Sequence, residues 1–173
     1  VGVNTGGEIS DLLTPVAMGF STAGQIYIAQ LTGAGDEKGV KRSIGTLLSF
    51  MMILSVLLAA ATILFCDSIL TLLNCPEEAW AQAKAYMIMT SVGLPSIFGD
   101  NAVVGVLRGM GESKRPLVFI LVAATVNIVL DLLLVVVFKM DAAGTAIATA
   151  ASQFGSFAAA VFFLWKKRDK FDF

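Results

Sequence analysis

The sequence contains no histidine, two cysteines and few charged residues, and each shortage excludes a class of function. Charged residues make up 14% of the 173-residue chain, against about 25% in an average soluble domain. Without histidine, the usual catalytic base and the commonest metal ligand are missing. No zinc-type cluster and no nucleophile–base pair is visible in the sequence, so we expect neither an enzyme nor a cofactor. A local disulfide between Cys66 and Cys75 would fit their spacing, but two unpaired thiols are the favoured interpretation.

Apolar residues are abundant, at 57% of the chain, and the mean hydropathy is +0.82. A helix of about 20 apolar residues is long enough to cross a bilayer. The sequence predicts an all-α integral membrane protein, with one transmembrane domain over residues 1–173 and a bundle of five helices. The predicted spans are residues 9–33, 43–66, 79–107, 116–138 and 142–165.

The basic residues predict how the chain lies in the membrane. Except for Lys84 and Lys139, every lysine and arginine follows span one, span three or span five. These three segments share one side of a five-span protein, and the positive-inside rule assigns that side to the cytoplasm. The amino terminus is then outside and the carboxyl terminus cytoplasmic. The pattern indicates membrane orientation and not nucleic-acid binding. Because the start has neither a signal sequence nor an initiator methionine, we expect one preceding helix to be missing.

Two polar residues, Asn127 and Asp131, interrupt the apolar run of span four. An aspartate at the centre of a membrane helix costs about 2.5–3.5 kcal/mol, and such residues usually serve transport or proton relay. Their spacing of four puts both on one helix face. Counting inward from the outer ends at about 1.5 Å per residue places Asp131 level with Thr149 of span five. The oxygen atoms of the three side chains would suit Na⁺, or a proton held on the carboxyl group. The alternative is a polar contact that only holds two helices together, for about 0.6 kcal/mol.

Two other polar residues are secondary candidates for the same pathway. Asp100 lies in the cytoplasmic half of span three, where its alternative role is helix capping or solvent exposure beside Pro95. Gln25 of span one could line a cavity but would serve equally well as a helix-packing partner.

The two internal cytoplasmic loops resemble each other, since Gly33–Lys38 and Gly109–Lys114 both read Gly, any residue, Gly, acid, any residue, Lys. Shared helix-end chemistry and internal duplication both explain this similarity.

Four segments, taken together, resemble the amino-terminal lobe of the multidrug and toxic compound extrusion (MATE) transporters. They are Ile28–Asp36 (IAQLTGAGD), Leu107–Pro116 (LRGMGESKRP), Asn127–Asp131 (NIVLD) and Gly144–Thr149 (GTAIAT). The resemblance implies helices two to six of a six-helix lobe, with the first helix and the whole second lobe as missing partners. It also implies the plasma membrane of a prokaryote, and export of cationic or amphipathic drug-like compounds in exchange for Na⁺ or H⁺. By motif match, Asn127, Asp131 and Thr149 correspond to coupling-site residues of prokaryotic members, whose further aspartate lies on the first helix.

Two alternative functions remain. A lipid-linked oligosaccharide flippase of the same superfamily would need a basic cavity, and no lysine or arginine lies deep in a predicted span. A membrane scaffold that transports nothing would have no use for Asp100 and Asp131.

Overall fold

Long helices make up almost all of the computed structural model, which describes residues 2–137 and 142–166 and the side chains of residues 12–118, 120–134, 144 and 147–162. The helices are α1 (Gly2–Gly33), α2 (Glu37–Leu64), α3 (Cys66–Leu72), α4 (Glu77–Gly109), α5 (Lys114–Asp131) and α6 (Ala142–Lys166). A π-helical segment, Leu132–Val137, continues α5. No strand occurs in the described ranges, and the all-α prediction is confirmed.

Three stretches of the described residues are long and apolar enough to cross a membrane: Glu37–Leu64, Glu77–Gly109 and Lys114–Leu134. In α6, Ile147–Phe162 forms a shorter apolar stretch. The predicted second span, 43–66, lies on α2 and the first residue of α3. Its helix begins earlier, at Glu37, because the Asp36 carboxylate accepts a hydrogen bond from the Gly39 amide at 2.9 Å and caps the helix. The helix ends at Leu64, and Cys66 already belongs to α3.

The short helix α3 packs against the first turns of α4. Its buried residues Cys66 and Leu70 form one apolar cluster with Cys75, Ala83 and Met87. Both cysteines are free and buried, so the prediction of two unpaired thiols is confirmed. At the solvent-exposed side of this contact, the Lys84 ammonium group lies 2.6 Å from the Asp67 carboxylate.

Helix α4 is the central element, because α1, α2 and α6 all pack against it. Glycines of α4 allow α1 to approach it closely. A β-carbon at Gly105 would lie 2.5 Å from the Ser21 hydroxyl of α1, and one at Gly109 would lie 2.8 Å from the Gln25 carbonyl oxygen. The Ser21 hydroxyl also donates a hydrogen bond of 2.5 Å to the Asn101 carbonyl. The contact between α1 and α4 therefore depends on small residues, as is common between membrane helices.

The two similar loops have the same backbone geometry. Gly35 and Gly111 adopt positive φ angles of 72° and 84°. The amide of the next residue then bonds back to a carbonyl five residues earlier, from Asp36 to Leu31 at 3.0 Å and from Glu112 to Leu107 at 2.8 Å. Both loops are thus Schellman-type helix ends with a left-handed glycine. Shared helix-end chemistry and internal duplication both fit this common geometry.

Candidate functional site

A cavity of about 220 Å³ lies where α4, α5 and α6 meet. Its apolar wall comes from Ile120, Ala123 and Ala124 of α5. Five polar side chains complete the lining: Asp100, Asn127, Thr149, Ser152 and Gln153. A polar cavity inside an apolar bundle is the setting in which membrane proteins keep ionisable groups.

Asn127 and Thr149 meet across the interface between α5 and α6. The Asn127 amide nitrogen lies 3.5 Å from the Thr149 hydroxyl oxygen, at the long limit of a hydrogen bond. Both residues are partly buried. The two helices follow each other in the chain, and the structure brings these two predicted residues together in one cavity.

Asp100 reaches the same cavity from α4. Its carboxylate accepts a hydrogen bond of 2.9 Å from the buried Ser156 hydroxyl of α6. Ser156 follows Thr149 by seven residues, so the Asp100 contact lies about 10 Å along α6 from the Asn127 contact. The cavity thus has a carboxylate at one level and an amide–hydroxyl pair two helical turns away.

Asp131 lies one turn beyond Asn127, at the last residue of α5, and does not line the cavity. Its Oδ1 atom is buried and has no hydrogen-bond partner among the described residues. Depth counting placed Asp131 level with Thr149, but the structure puts Asn127 there. The count assumed a regular α-helix, whereas the residues after Asp131 are π-helical. A π-helix bonds residue i to i+5 and has more residues per turn, so the regular rise per residue assumed in the count does not hold for Leu132–Val137.

Gln25 lies elsewhere. It is on α1, where its backbone carbonyl faces Gly109 of α4, and it does not line the cavity. Both uses considered for the Gln25 side chain stay predictions.

Three polar residues of α6 were missed by sequence reasoning: Ser152, Gln153 and Ser156. With Thr149 they occupy positions i, i+3, i+4 and i+7, which is one face of a helix. This polar stripe in an apolar helix was the signal that could have found them.

The charge of the cavity favours a cation. Asp100 is the ionisable residue of the lining, and no lysine or arginine of the described residues faces it. The other polar groups offer amide and hydroxyl oxygens, which together with the Asp100 carboxylate are ligands of hard cations such as Na⁺. Nowhere in the described ranges do three or more His, Cys, Asp or Glu side chains cluster as they would around a tightly held metal.

Comparison with known proteins adds three findings. The family model MatE matches residues 2–133. Two proteins of Bacillus subtilis (strain 168) are similar: probable multidrug resistance protein YpnP, 33% identical over 87% of this chain, and probable multidrug resistance protein YoeA, 31% identical over 94%. A crystal structure of MATE in complex with MaD5 matches 97% of the chain, with a TM-score of 0.93 and 25% identity.

The chain spans about a third of the length of these proteins. It covers 34% of YpnP, 36% of YoeA and 38% of the crystallised MATE chain.

Proposed function

The chain belongs to the MatE family, whose members are secondary transporters and not enzymes, and on that premise we propose that it forms part of a cation-coupled multidrug efflux antiporter. The antiporter works in a prokaryotic plasma membrane and exports cationic or amphipathic drug-like compounds in exchange for Na⁺ or H⁺. The names of the two Bacillus relatives as probable multidrug resistance proteins support this choice of substrate class.

The observation that carries the proposal is the polar cavity between α4, α5 and α6, with Asp100 and the Asn127–Thr149 pair inside it and Asp131 one turn away. Its volume of about 220 Å³ is smaller than the ~300–1,000 Å³ of pockets for drug-sized ligands. The cavity is therefore better suited to a coupling ion with its water than to the exported compound.

Coupling follows from a difference in affinity between two conformations. When Na⁺ or H⁺ binds at Asp131 and the neighbouring oxygens, it stabilises the conformation that has the weaker affinity for the drug. Loss of the cation favours the drug-binding conformation. The size of the coupling cannot exceed the difference in cation affinity between the two states. Asp100, held by Ser156, provides a second carboxylate on the path of the cation.

Neutralising each carboxylate tests the proposal. In the full-length protein, we expect Asp131→Asn to abolish drug efflux driven by a Na⁺ or pH gradient, and Asp100→Asn to reduce it. Both variants should still insert into the membrane. Asp67→Asn is the matched control, because Asp67 is exposed and does not line the cavity. Efflux measured separately with a Na⁺ gradient and with a pH gradient identifies the coupling ion. Undiminished efflux by Asp131→Asn would rule out Asp131 as the carboxylate that binds it.

The flippase alternative is less well supported. A pyrophosphate head group needs basic partners, and the cavity lining contains a carboxylate and no lysine or arginine. The scaffold alternative predicts no gradient-driven efflux by the unaltered protein or by either Asp→Asn variant.

A further inference from the structure

A second cavity, of about 400 Å³, lies between α1 and α2. Its lining residues come from these two helices alone: Gly24, Tyr27, Arg42, Ser43, Thr46, Leu47 and Phe50. The volume is within the range of ligand pockets, about 300–1,000 Å³.

The cavity is polar at one end and apolar at the other. Arg42 and Ser43, near the start of α2, form the polar end, while Leu47 and Phe50 lie one to two turns further along the same helix. The Phe50 ring meets the Phe20 ring of α1 edge to face, at 5.1 Å between centroids. Gly24 lies so close to the Leu47 side chain that a β-carbon there would be 2.5 Å from it. The apolar end is thus closed by contacts between the two helices.

The Arg42 guanidinium group is exposed and has no ion pair or hydrogen bond to a described side chain. Lys38 and Lys41 lie within one turn of it. This basic group marks the point where the apolar part of α2 begins, so the polar end of the cavity lies at the edge of the bilayer.

We propose that this cavity binds an anionic phospholipid. Arginine binds a phosphate through two parallel hydrogen bonds, and basic pockets between membrane helices bind anionic head groups. The Ser43 and Thr46 hydroxyls and the Tyr27 ring complete the surface for the head group. The distance from Arg42 to Phe50, eight residues or about 12 Å along the helix, accommodates the upper part of an acyl chain against Leu47 and Phe50.

The positive charge of Arg42 favours a lipid over a neighbouring helix as the occupant of this cavity. A neighbouring transmembrane helix would present mainly apolar side chains and would leave the Arg42 guanidinium without an anion, at a cost in free energy. A lipid supplies both the phosphate and the apolar chain. The site is separate from the cavity at α4, α5 and α6, and the proposal does not depend on the transport function.

Native mass spectrometry of the purified full-length protein tests the site. The probes are dioleoyl phosphatidylglycerol, dioleoyl phosphatidylcholine and glycerol 3-phosphate. We expect bound phosphatidylglycerol to be retained in preference to phosphatidylcholine, and Arg42→Gln to weaken phosphatidylglycerol binding at least about tenfold, the effect of losing a hydrogen bond to a charged group. Arg108→Gln is the matched control, since Arg108 is exposed in the last turn of α4 and does not line the cavity. It should bind the lipid like the unaltered protein.

Three results would overturn the proposal. Equal weakening by Arg42→Gln and Arg108→Gln would show attraction to surface charge in general. Equal retention of the two lipids would show that the head group is not recognised. Displacement of phosphatidylglycerol by glycerol 3-phosphate at similar concentration would show a site for small anions and not for a lipid. Thermal unfolding of each variant verifies that the compared proteins are folded.

Discussion

Two glycines of α4 should respond in opposite ways to replacement by alanine, because only one of them lies in close contact with a neighbouring helix. Gly105 lies against Ser21, whereas a β-carbon at Gly93 would meet its nearest neighbour, the Ala150 β-carbon, at 3.9 Å. We therefore expect Gly105→Ala to destabilise the protein and Gly93→Ala to leave it unchanged or more stable.

The magnitudes follow from three contributions. At Gly105, the new methyl group would overlap the Ser21 hydroxyl and lie 2.9 Å from the Ser21 carbonyl oxygen, and overpacking of this kind costs about 1–3 kcal/mol. Moving the Ser21 hydroxyl breaks its hydrogen bond to the Asn101 carbonyl, which costs about 0.5–1.5 kcal/mol more. Replacing glycine by alanine inside a helix stabilises the helix by about 1 kcal/mol. The net expectation is a loss of about 1–3 kcal/mol for Gly105→Ala and a gain of up to about 1 kcal/mol for Gly93→Ala.

The protein carries its own reporter for the measurement. Cys66 and Cys75 are buried and free, so a thiol-reactive dye labels them as the protein unfolds. In a thermal scan of the purified protein in detergent, about 2–4 °C of melting temperature corresponds to each kcal/mol for a domain of this size. Gly105→Ala should melt below the unaltered protein and Gly93→Ala at or above it. The same shift for both variants, or a higher melting temperature for Gly105→Ala, would refute the close-packing argument.

Two further predictions concern the cavity and the orientation. Ser156→Ala removes the hydroxyl that donates to Asp100 and stabilises its charged form, so the carboxylate should bind the coupling ion more readily and cation-driven efflux should need about tenfold less of it. Ser49→Ala, on the exposed face of α2, should not change the requirement, and equal requirements for both variants would contradict the role of this bond. If the basic loops are cytoplasmic, a membrane-impermeant maleimide should label Glu78→Cys in intact cells and should label Lys38→Cys only after permeabilisation; the reverse pattern would invert the topology. The buried native cysteines keep the background low.

The parts of the fold that depend on local chemistry were predictable from the sequence. Apolar runs of membrane length indicated the long helices, and glycine followed by an acid indicated the helix end at Gly35 and the cap at Asp36. Each of these signals lies within a few residues of the structure it specifies. The break at Phe65 between α2 and α3 was not predictable in this way, because Cys66 and Leu70 of α3 are positioned by buried contacts with Ala83 and Met87 of α4, which lie 13 to 21 residues further along the chain.

The candidate site was only partly predictable, for a similar reason. Asn127 and Thr149 were identified from residue type and depth, and the structure places them in contact. Their level relative to Asp131 depended on the helix type of residues 132–137, which an unbroken apolar run does not reveal. The participation of Asp100 depended on Ser156, a partner 56 residues away. The coupling roles of these residues stay predictions until efflux is measured.

Helices α1 and α5 differ in how closely they pack against α4. Where α1 meets α4, the glycines of α4 and Ser21 of α1 leave no free space, so we expect the two helices to move together as one rigid body. On the other side, α5 packs chiefly against α6, and a polar cavity separates part of it from α4. If a coupling ion enters the cavity as proposed, α5 is therefore the helix that can move, while α4, packed against α1, α2 and α6, stays fixed.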